Sequence, residues 1–223
     1  EISECLVGSE MCIRDRTNPV ACDLEGNAKQ ILDAAKTAHE LGASICVTPA
    51  MSLTGWPLEG WLEREDFWMS LEEAINGLAQ ALHRQSRDGK IVLVGAPSRS
   101  EGKINRSIYV LGSGEIFKRI DKPLQGGCVL ENARSIHNHS GVEVNYCFAD
   151  DLTDESFVRA LKADDVGLVC ALDFGLFDSG DCARRRELMM DNCAREGIAF
   201  AVANQAGGQD DVIYEGRSFA VNC

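Results

Sequence analysis

A thiol and two carboxylates stand close together at the end of one predicted strand. Cys147 lies three residues before the pair Asp150-Asp151. A thiolate can attack a carbonyl carbon, and a neighbouring carboxylate can move the proton that such an attack requires. Cys147 is nevertheless expected to pack in the core, because it lies inside the strand and behind its carboxyl end. The two aspartates are expected to cap the helix that begins near Thr153.

The other polar motifs predict neither a metal site nor a phosphate site. His137 and His139 lie in one polar loop, but no further ligands for a metal ion are evident beside them. Gly207-Gly208 is followed by neither a lysine nor a helix, so it predicts a tight turn with positive φ rather than a phosphate-binding loop. Asp210-Asp211 is expected to serve that turn.

The elements that must position these groups alternate between helices and short apolar strands. Apolar residues recur at helical spacing after the cap signal at Asn27, and the glycine-rich stretch 112–114 between two alternating segments is typical of a hairpin. We therefore predict a mixed, layered α/β domain. The predicted helices are 27–42, 66–85, 153–163 and 181–196, and the predicted strands are 44–48, 91–95, 104–111, 115–119, 142–148, 166–172, 198–203, 212–214 and 218–221.

Composition narrows the class of protein. The 223 residues carry a net charge of −13, which repels phosphate backbones, so no nucleic acid partner is expected. No stretch approaches the roughly 18 apolar residues that a membrane helix needs. The ten cysteines include no Cys-x-x-Cys pair and are expected to be small core residues in a reducing, cytoplasmic environment. The basic run Arg184–Arg186 is expected to form a solvated helix face.

The two ends of the sequence are predicted to be artificial or cut. Leu6 to Arg16 reads LVGSEMCIRDR and resembles the translation of a sequencing adapter, so residues 1–16 are set aside as a non-native segment. The chain stops at Cys223, inside a predicted strand. We therefore expect residues 17–223 to form one domain that is truncated at both ends.

Four stretches in order resemble one family of enzymes. They are NPVACDLEGN from Asn18, TPAMSLTGWP from Thr48, GVEVNYCFADDL from Gly141, and NQAGGQDD from Asn204 with YEGRS from Tyr214. Together they resemble the carbon–nitrogen hydrolase, or nitrilase, superfamily. Within it they look like the glutamine amidase domain of glutamine-dependent NAD synthetases, from about residue 17 to the end.

This resemblance implies an α-β-β-α sandwich, of which one subunit contributes one α-β-β-α unit. It also implies a Glu–Lys–Cys site that hydrolyses glutamine and passes ammonia to a separate synthetase domain. No cofactor is expected in this domain, since ATP belongs to the synthetase domain. The implied partners are that synthetase domain, in cis or in trans, and further copies of the chain, while nucleic acid and membrane are not expected.

Two of the three catalytic positions hold alanine when the family pattern is laid on this chain. Ala50 follows the proline at which the family has its glutamate, and Ala149 stands where the family has its cysteine. Lys118, within Phe117–Ile120, matches the family lysine, although about one extra residue precedes Pro123. Lys118 is therefore the only catalytic residue that the resemblance carries over.

Three interpretations remain open at this point. The first is a degenerate amidase domain that is kept as a structural or assembly element of an NAD synthetase. The second is an active amidase with a relocated nucleophile, such as Cys147, that supplies ammonia for NAD synthesis. The third is a decayed or chimeric gene. Loss of a nucleophile alone removes several orders of magnitude in rate, which favours the first interpretation over the second.

Overall fold

Two five-stranded sheets face each other in this chain, and two helices cover the outer side of each. The computed structural model describes residues 11–13, 18–85, 90–125, 127–177 and 181–222. The helices are α1 (Leu24–Glu40), α2 (Glu65–Gln85), α3 (Glu155–Ala163) and α4 (Asp181–Glu196). None of the described helices combines the length and the apolar run that crossing a membrane requires.

The described strands are β1 (Met11–Ile13), β2 (Ile45–Val47), β3 (Ile91–Ser100), β4 (Lys103–Gly112), β5 (Glu115–Pro123), β6 (Ile136–His139), β7 (Val142–Phe148), β8 (Leu168–Leu172), β9 (Ala199–Ala203), β10 (Ala206–Gln209), β11 (Val212–Glu215) and β12 (Phe219–Val221). The first sheet has the order β1-β2-β3-β4-β5, and the second has the order β12-β9-β8-β7-β6. Parallel pairs form the β1-β2-β3 part and the β7-β8-β9 part, while β4, β5, β6 and β12 pair antiparallel. A separate hairpin consists of β10 and β11.

Three apolar layers hold this sandwich together. One core joins α1 and α2 to the outer face of the first sheet, and another joins α3 and α4 to the outer face of the second sheet. The central core, with Ile108, Ile120, Tyr146 and Phe148 among its members, lies between the sheets. The predicted α-β-β-α sandwich and its mixed sheets are therefore confirmed.

The start of α1 differs from the prediction. Asp23, not Asn27, caps the helix by accepting a hydrogen bond from Gly26 N at 2.9 Å. Asn27 is fully buried, and its side chain donates to Val20 O at 2.8 Å and to Leu53 O at 3.0 Å. Asn27 therefore lies close to the start of the helix, but its side chain joins two loops and does not cap the helix.

Two strands of the first sheet, β3 and β1, also differ from the prediction. Strand β3 continues past Gly95 to Ser100, because it forms a long hairpin with β4. Strand β1 lies within the residues set aside as non-native and pairs with β2 through Met11↔Ile45. A period-two pattern could reveal neither the full length of β3, which is buried through eight consecutive residues, nor the presence of β1, which has only three residues.

Candidate functional site

The carboxyl ends of the parallel strands of the second sheet meet the turn that contains Ala50. Asp173, which follows β8, donates its backbone N–H to Ala203 O at 2.9 Å, and its own carbonyl accepts from Ala50 N at 3.0 Å. Gly95 fits against the same turn, since a Cβ there would lie 2.0 Å from Ala50 O. Ligand sites of open α/β sheets lie at such carboxyl ends.

An arginine from α4 binds at the carboxyl ends of these strands. Arg185 donates through Nη1 to Asp173 Oδ1 at 3.1 Å and pairs with the other carboxylate oxygen as well. The next arginine, Arg186, pairs with Glu215 at 2.7 Å. The expectation of a solvated face for Arg184–Arg186 is therefore wrong for these two residues, because each finds a carboxylate that is mostly buried.

Both positions that the resemblance assigns to catalytic groups are buried alanines. Ala50 is 0% exposed and belongs to the central core, and Ala149 is 0% exposed and packs with the core under α3 and α4. Cys147 belongs to the same core as Ala149, as strand periodicity predicts. Burial, followed by the charge of Asp151, holds the pKa of the Cys147 thiol well above its usual range. These positions offer neither a thiolate nor a base.

Four charged side chains lie beside Ala149 and form what we call the charge cluster: Arg106, Lys122, Asp150 and Asp151. Lys122 Nζ donates to Asp150 Oδ2 at 2.8 Å and also to Asp151 Oδ1. Arg106 Nη2 donates to the same Asp150 oxygen at 2.5 Å. Two cations thus face two carboxylates, which gives the cluster no net charge.

The members of the charge cluster are shielded from water to different degrees. Lys122 and Asp151 are 0% exposed, and Arg106 is 8% exposed. Burial alone would raise the pKa of Asp150, but Arg106 and Lys122 outweigh it and hold that pKa below its ordinary value. Burial raises the pKa of Asp151, and Lys122 opposes this shift. Asp151 also accepts a hydrogen bond from Phe148 N at 3.2 Å, which ties it to the end of β7.

Aromatic rings enclose the guanidinium of the cluster. Arg106 Cζ lies 4.7 Å from the ring centroid of Phe148 and 5.7 Å from that of Phe174. Phe174 in turn meets the edge of Trp56 at 6.3 Å between centroids. These contacts link the cluster to the loop that follows Ala50, because Trp56 belongs to that loop.

The structure does not bring Lys118 to the two alanines. Lys118 lies on β5 opposite Val110, four residues before Lys122, which corresponds to about 13 Å along a strand. It is half-buried, burial lowers its pKa, and its charge acts on His137 rather than on the aspartates. Lys122 was not predicted from the sequence. The extra residue before Pro123 was the available signal, because it means that the match of the family lysine to Lys118 can be shifted along the strand.

A second thiol lies near the charge cluster. Cys128 is half-buried in the loop after β5 and packs against the core that contains Cys147 and Ala149. Burial first, and then the neighbouring Asp151, raise the pKa of Cys128 to about 12. Sequence reasoning missed this contact because Cys128 follows no predicted strand.

His137 and His139 lie on strand β6 and not in a loop as predicted, and they do not form part of this site. Their ring centroids are 6.4 Å apart, and His137 lies 5.7 Å from the ring of Phe117. Within the described ranges, no three His, Cys, Asp or Glu side chains are grouped so that they could hold a metal ion.

Comparisons with known proteins agree with the fold and the resemblance. The glutamine-dependent NAD(+) synthetase of Synechocystis sp. is 27% identical over 232 residues, covering 92% of this chain and 41% of that protein. The enzyme of the same name from Thermotoga maritima is 25% identical over 218 residues, covering 92% and 37%. The chain thus spans about two fifths of the length of these relatives. No family model matches the chain.

Solved structures show the same fold. The glutamine-dependent NAD+ synthetase from Acinetobacter baumannii superposes with a TM-score of 0.79 at 20% identity, covering 95% of this chain and 41% of that chain. A mutant of the Nesterenkonia AN1 amidase from the nitrilase superfamily superposes with a TM-score of 0.73 at 19% identity, covering 92% and 79%. The chain therefore has the nitrilase-superfamily fold and is similar to the amidase region of glutamine-dependent NAD synthetases.

Proposed function

We propose that this chain, which is similar to the amidase region of glutamine-dependent NAD synthetases, is a degenerate amidase domain that does not hydrolyse glutamine. One observation carries the proposal: Ala50 and Ala149 are fully buried at the two positions where the resemblance places the glutamate and the cysteine. The chain keeps the sandwich that held those groups.

The chemistry of amide hydrolysis explains why this loss is severe. The reaction needs a nucleophile, a base that moves its proton and a cation that stabilises the developing oxyanion. We assign the position of that cation to Lys122 rather than to Lys118, because Lys122 lies beside Ala149. Its ammonium donates to Asp150 and Asp151, so it is already neutralised within the domain.

We infer that the domain acts as a structural or assembly element of an NAD synthetase in the cytoplasm. The similar proteins are more than twice as long as the matched region, so an ATP-using synthetase domain is the natural partner, in cis or in trans. That partner would use free ammonia or ammonia from another protein. Association of several copies of the chain belongs to the same proposal.

A glutaminase assay tests the proposal directly. Ammonia release from glutamine is measured with the purified chain, with the Thermotoga maritima relative as the positive control. We expect no release above the rate in buffer. Steady glutaminase activity that scales with the concentration of the chain and co-purifies with it would contradict the proposal.

One observation supports a second candidate, an amidase with a relocated nucleophile. Cys128 is half-buried beside Asp151, whose carboxylate bonds Lys122, so a thiol, a carboxylate and an ammonium lie together. Cys147 is a weaker choice, since it is fully buried. If glutamine turnover is found, Cys128→Ser and Cys147→Ala separate the two thiols, and mass spectrometry with an electrophilic glutamine mimic locates the cysteine that carries the covalent adduct.

A further inference from the structure

We propose that Arg106 fills the amide pocket of this domain and acts as an internal ligand in place of a substrate. This inference rests on the proposed function, because it concerns the same site. It goes further, since it names a second feature that closes the site independently of the two alanines.

The position of the guanidinium carries the inference. Arg106 reaches the residues on both sides of Ala149: its guanidinium stacks over the ring of Phe148 at 4.7 Å and bonds Asp150 at 2.5 Å. It also lies 5.7 Å from the ring of Phe174. Phe174 follows Asp173, and the carbonyl of Asp173 accepts the hydrogen bond from Ala50 N. An amide placed against position 149 would have to share this space.

The character of the contacts supports a permanent occupant. The guanidinium of Arg106, which is planar and carries several N–H donors, lies 4.7 Å and 5.7 Å from the ring centroids of Phe148 and Phe174. Arg106 Nε is buried and has no hydrogen-bond partner among the described residues, so the ring faces rather than a complete set of acceptors enclose this part of the side chain. Such packing excludes water and leaves no equivalent room for a second planar group.

Charge balance explains why the arginine stays in place. Without Arg106, Lys122 alone would face both the partly exposed Asp150 and the fully buried Asp151, and the cluster would carry a net negative charge. Restoring only the glutamate and the cysteine would therefore leave the pocket occupied. The closure is expected to persist in an Ala50→Glu/Ala149→Cys double variant.

Thiol labelling measures whether Arg106 closes the pocket. A thiol is introduced with Ala149→Cys, and its alkylation by iodoacetamide is followed by peptide-resolved mass spectrometry, alone and combined with Arg106→Ala. Removing the cation Arg106 from beside two carboxylates disfavours the thiolate and by itself would slow labelling, so an increase in rate at one fixed pH reports access. We expect Arg106→Ala to speed labelling at position 149 by about tenfold or more, since the thiol then no longer needs a local opening to react.

Two controls distinguish opening of the pocket from loosening of the fold. Cys147 is fully buried in the same core and reports general unfolding, so its labelling rate should not change. Arg99 is a matched arginine, because it also bonds a carboxylate, Glu65, and lies over a ring, Trp68, on the outer side of the first sheet. Arg99→Ala should leave labelling at position 149 unchanged.

The inference is overturned if position 149 is labelled at the same rate with and without Arg106, or if Cys147 accelerates in parallel with it. These results are separate from the test of the proposed function. Glutamine turnover by the unaltered chain would contradict the proposed loss of activity, whereas unchanged labelling would contradict only the role of Arg106.

Discussion

Lys122 Nζ lies 2.8 Å from Asp150 Oδ2, and this ion pair joins the two sheets of the sandwich. Lys122 belongs to β5 of the first sheet, and Asp150 follows β7 of the second. Lys122 is fully buried whereas Asp150 is partly exposed, so it is the lysine that depends on its carboxylate partners for the interactions that water would otherwise supply. The lysine therefore contributes to the stability of the domain whether or not any chemistry remains.

We first predict that Lys122→Met strongly destabilises the domain. The change leaves Asp151 fully buried without its cation, and breaking a buried pair in this way costs about 3–5 kcal/mol of the free energy of unfolding. Urea denaturation measures the change. Lys118→Met is the matched control on the same strand and should cost about 1 kcal/mol or less, because Lys118 is half-buried. Equal effects of the two changes would contradict the assignment of Lys122 to the cluster.

The second prediction concerns acid stability and Asp150. Arg106 and Lys122 outweigh burial and hold the pKa of Asp150 below its ordinary value in the folded chain. The unfolded chain then binds the proton first, so the stabilisation is complete above about pH 3.9 and is lost as the pH falls toward the lower, folded pKa. The free energy of unfolding of the parent should drop more steeply below pH 4 than that of Asp150→Asn. Parallel pH curves for the two proteins would refute this linkage.

The third prediction concerns the close approach that places Ala50. Gly95→Ala should destabilise the domain by about 3 kcal/mol, because the new Cβ would meet the backbone of Ala50, which cannot rotate away. Gly77 is the control: it lies exposed in α2, and a Cβ there would meet nothing within 4 Å. Gly77→Ala should stabilise by about 0.5–1 kcal/mol through helix propensity. Thermal unfolding of both variants measures the two changes in stability, which are expected to have opposite signs.

The fourth prediction concerns the reactivity of Cys128. Burial and Asp151 raise the pKa of this thiol to about 12, and the thiolate is the reactive form. Its alkylation rate should therefore rise about tenfold per pH unit from pH 7 to 10 without levelling off, whereas a free thiol levels off near its pKa of about 8.5. Peptide-resolved mass spectrometry gives the rate for Cys128 alone. A plateau below pH 9 would contradict the raised pKa.

Local sequence patterns predicted the elements that obey a simple periodicity. The helix at Asp181–Glu196 and the strand at Val142–Phe148 were predicted with the bounds that the structure has. The hairpin around 112–114 was also predicted, because its glycines mark the turn. Strand β3 was predicted too short, since it is buried on both faces near its middle and shows no alternation.

The site was less predictable than the fold, and the reason lies in long-range contacts. The family resemblance assigns the glutamate and cysteine positions to Ala50 and Ala149, because this assignment uses only the residues next to them in the sequence. Lys122 is placed by the pairing of β5 with β4, where it lies opposite Arg106. The sequence does not state which of two lysines on one strand face reaches the carboxylates of the other sheet, since that depends on how the sheets stack.

The side chain of Gln209 accepts a hydrogen bond from Ala21 N at 2.8 Å, which ties the β10–β11 hairpin to the segment before α1 across 188 residues. During synthesis the ribosome must therefore release residues 21–209 before the segment that precedes α1 finds this partner. The first sheet and its helices can assemble early, but the contact between the segment before α1 and the hairpin can form only after Gln209 has left the ribosome. Nascent chains arrested before Gln209 should accordingly remain open to proteases around Ala21.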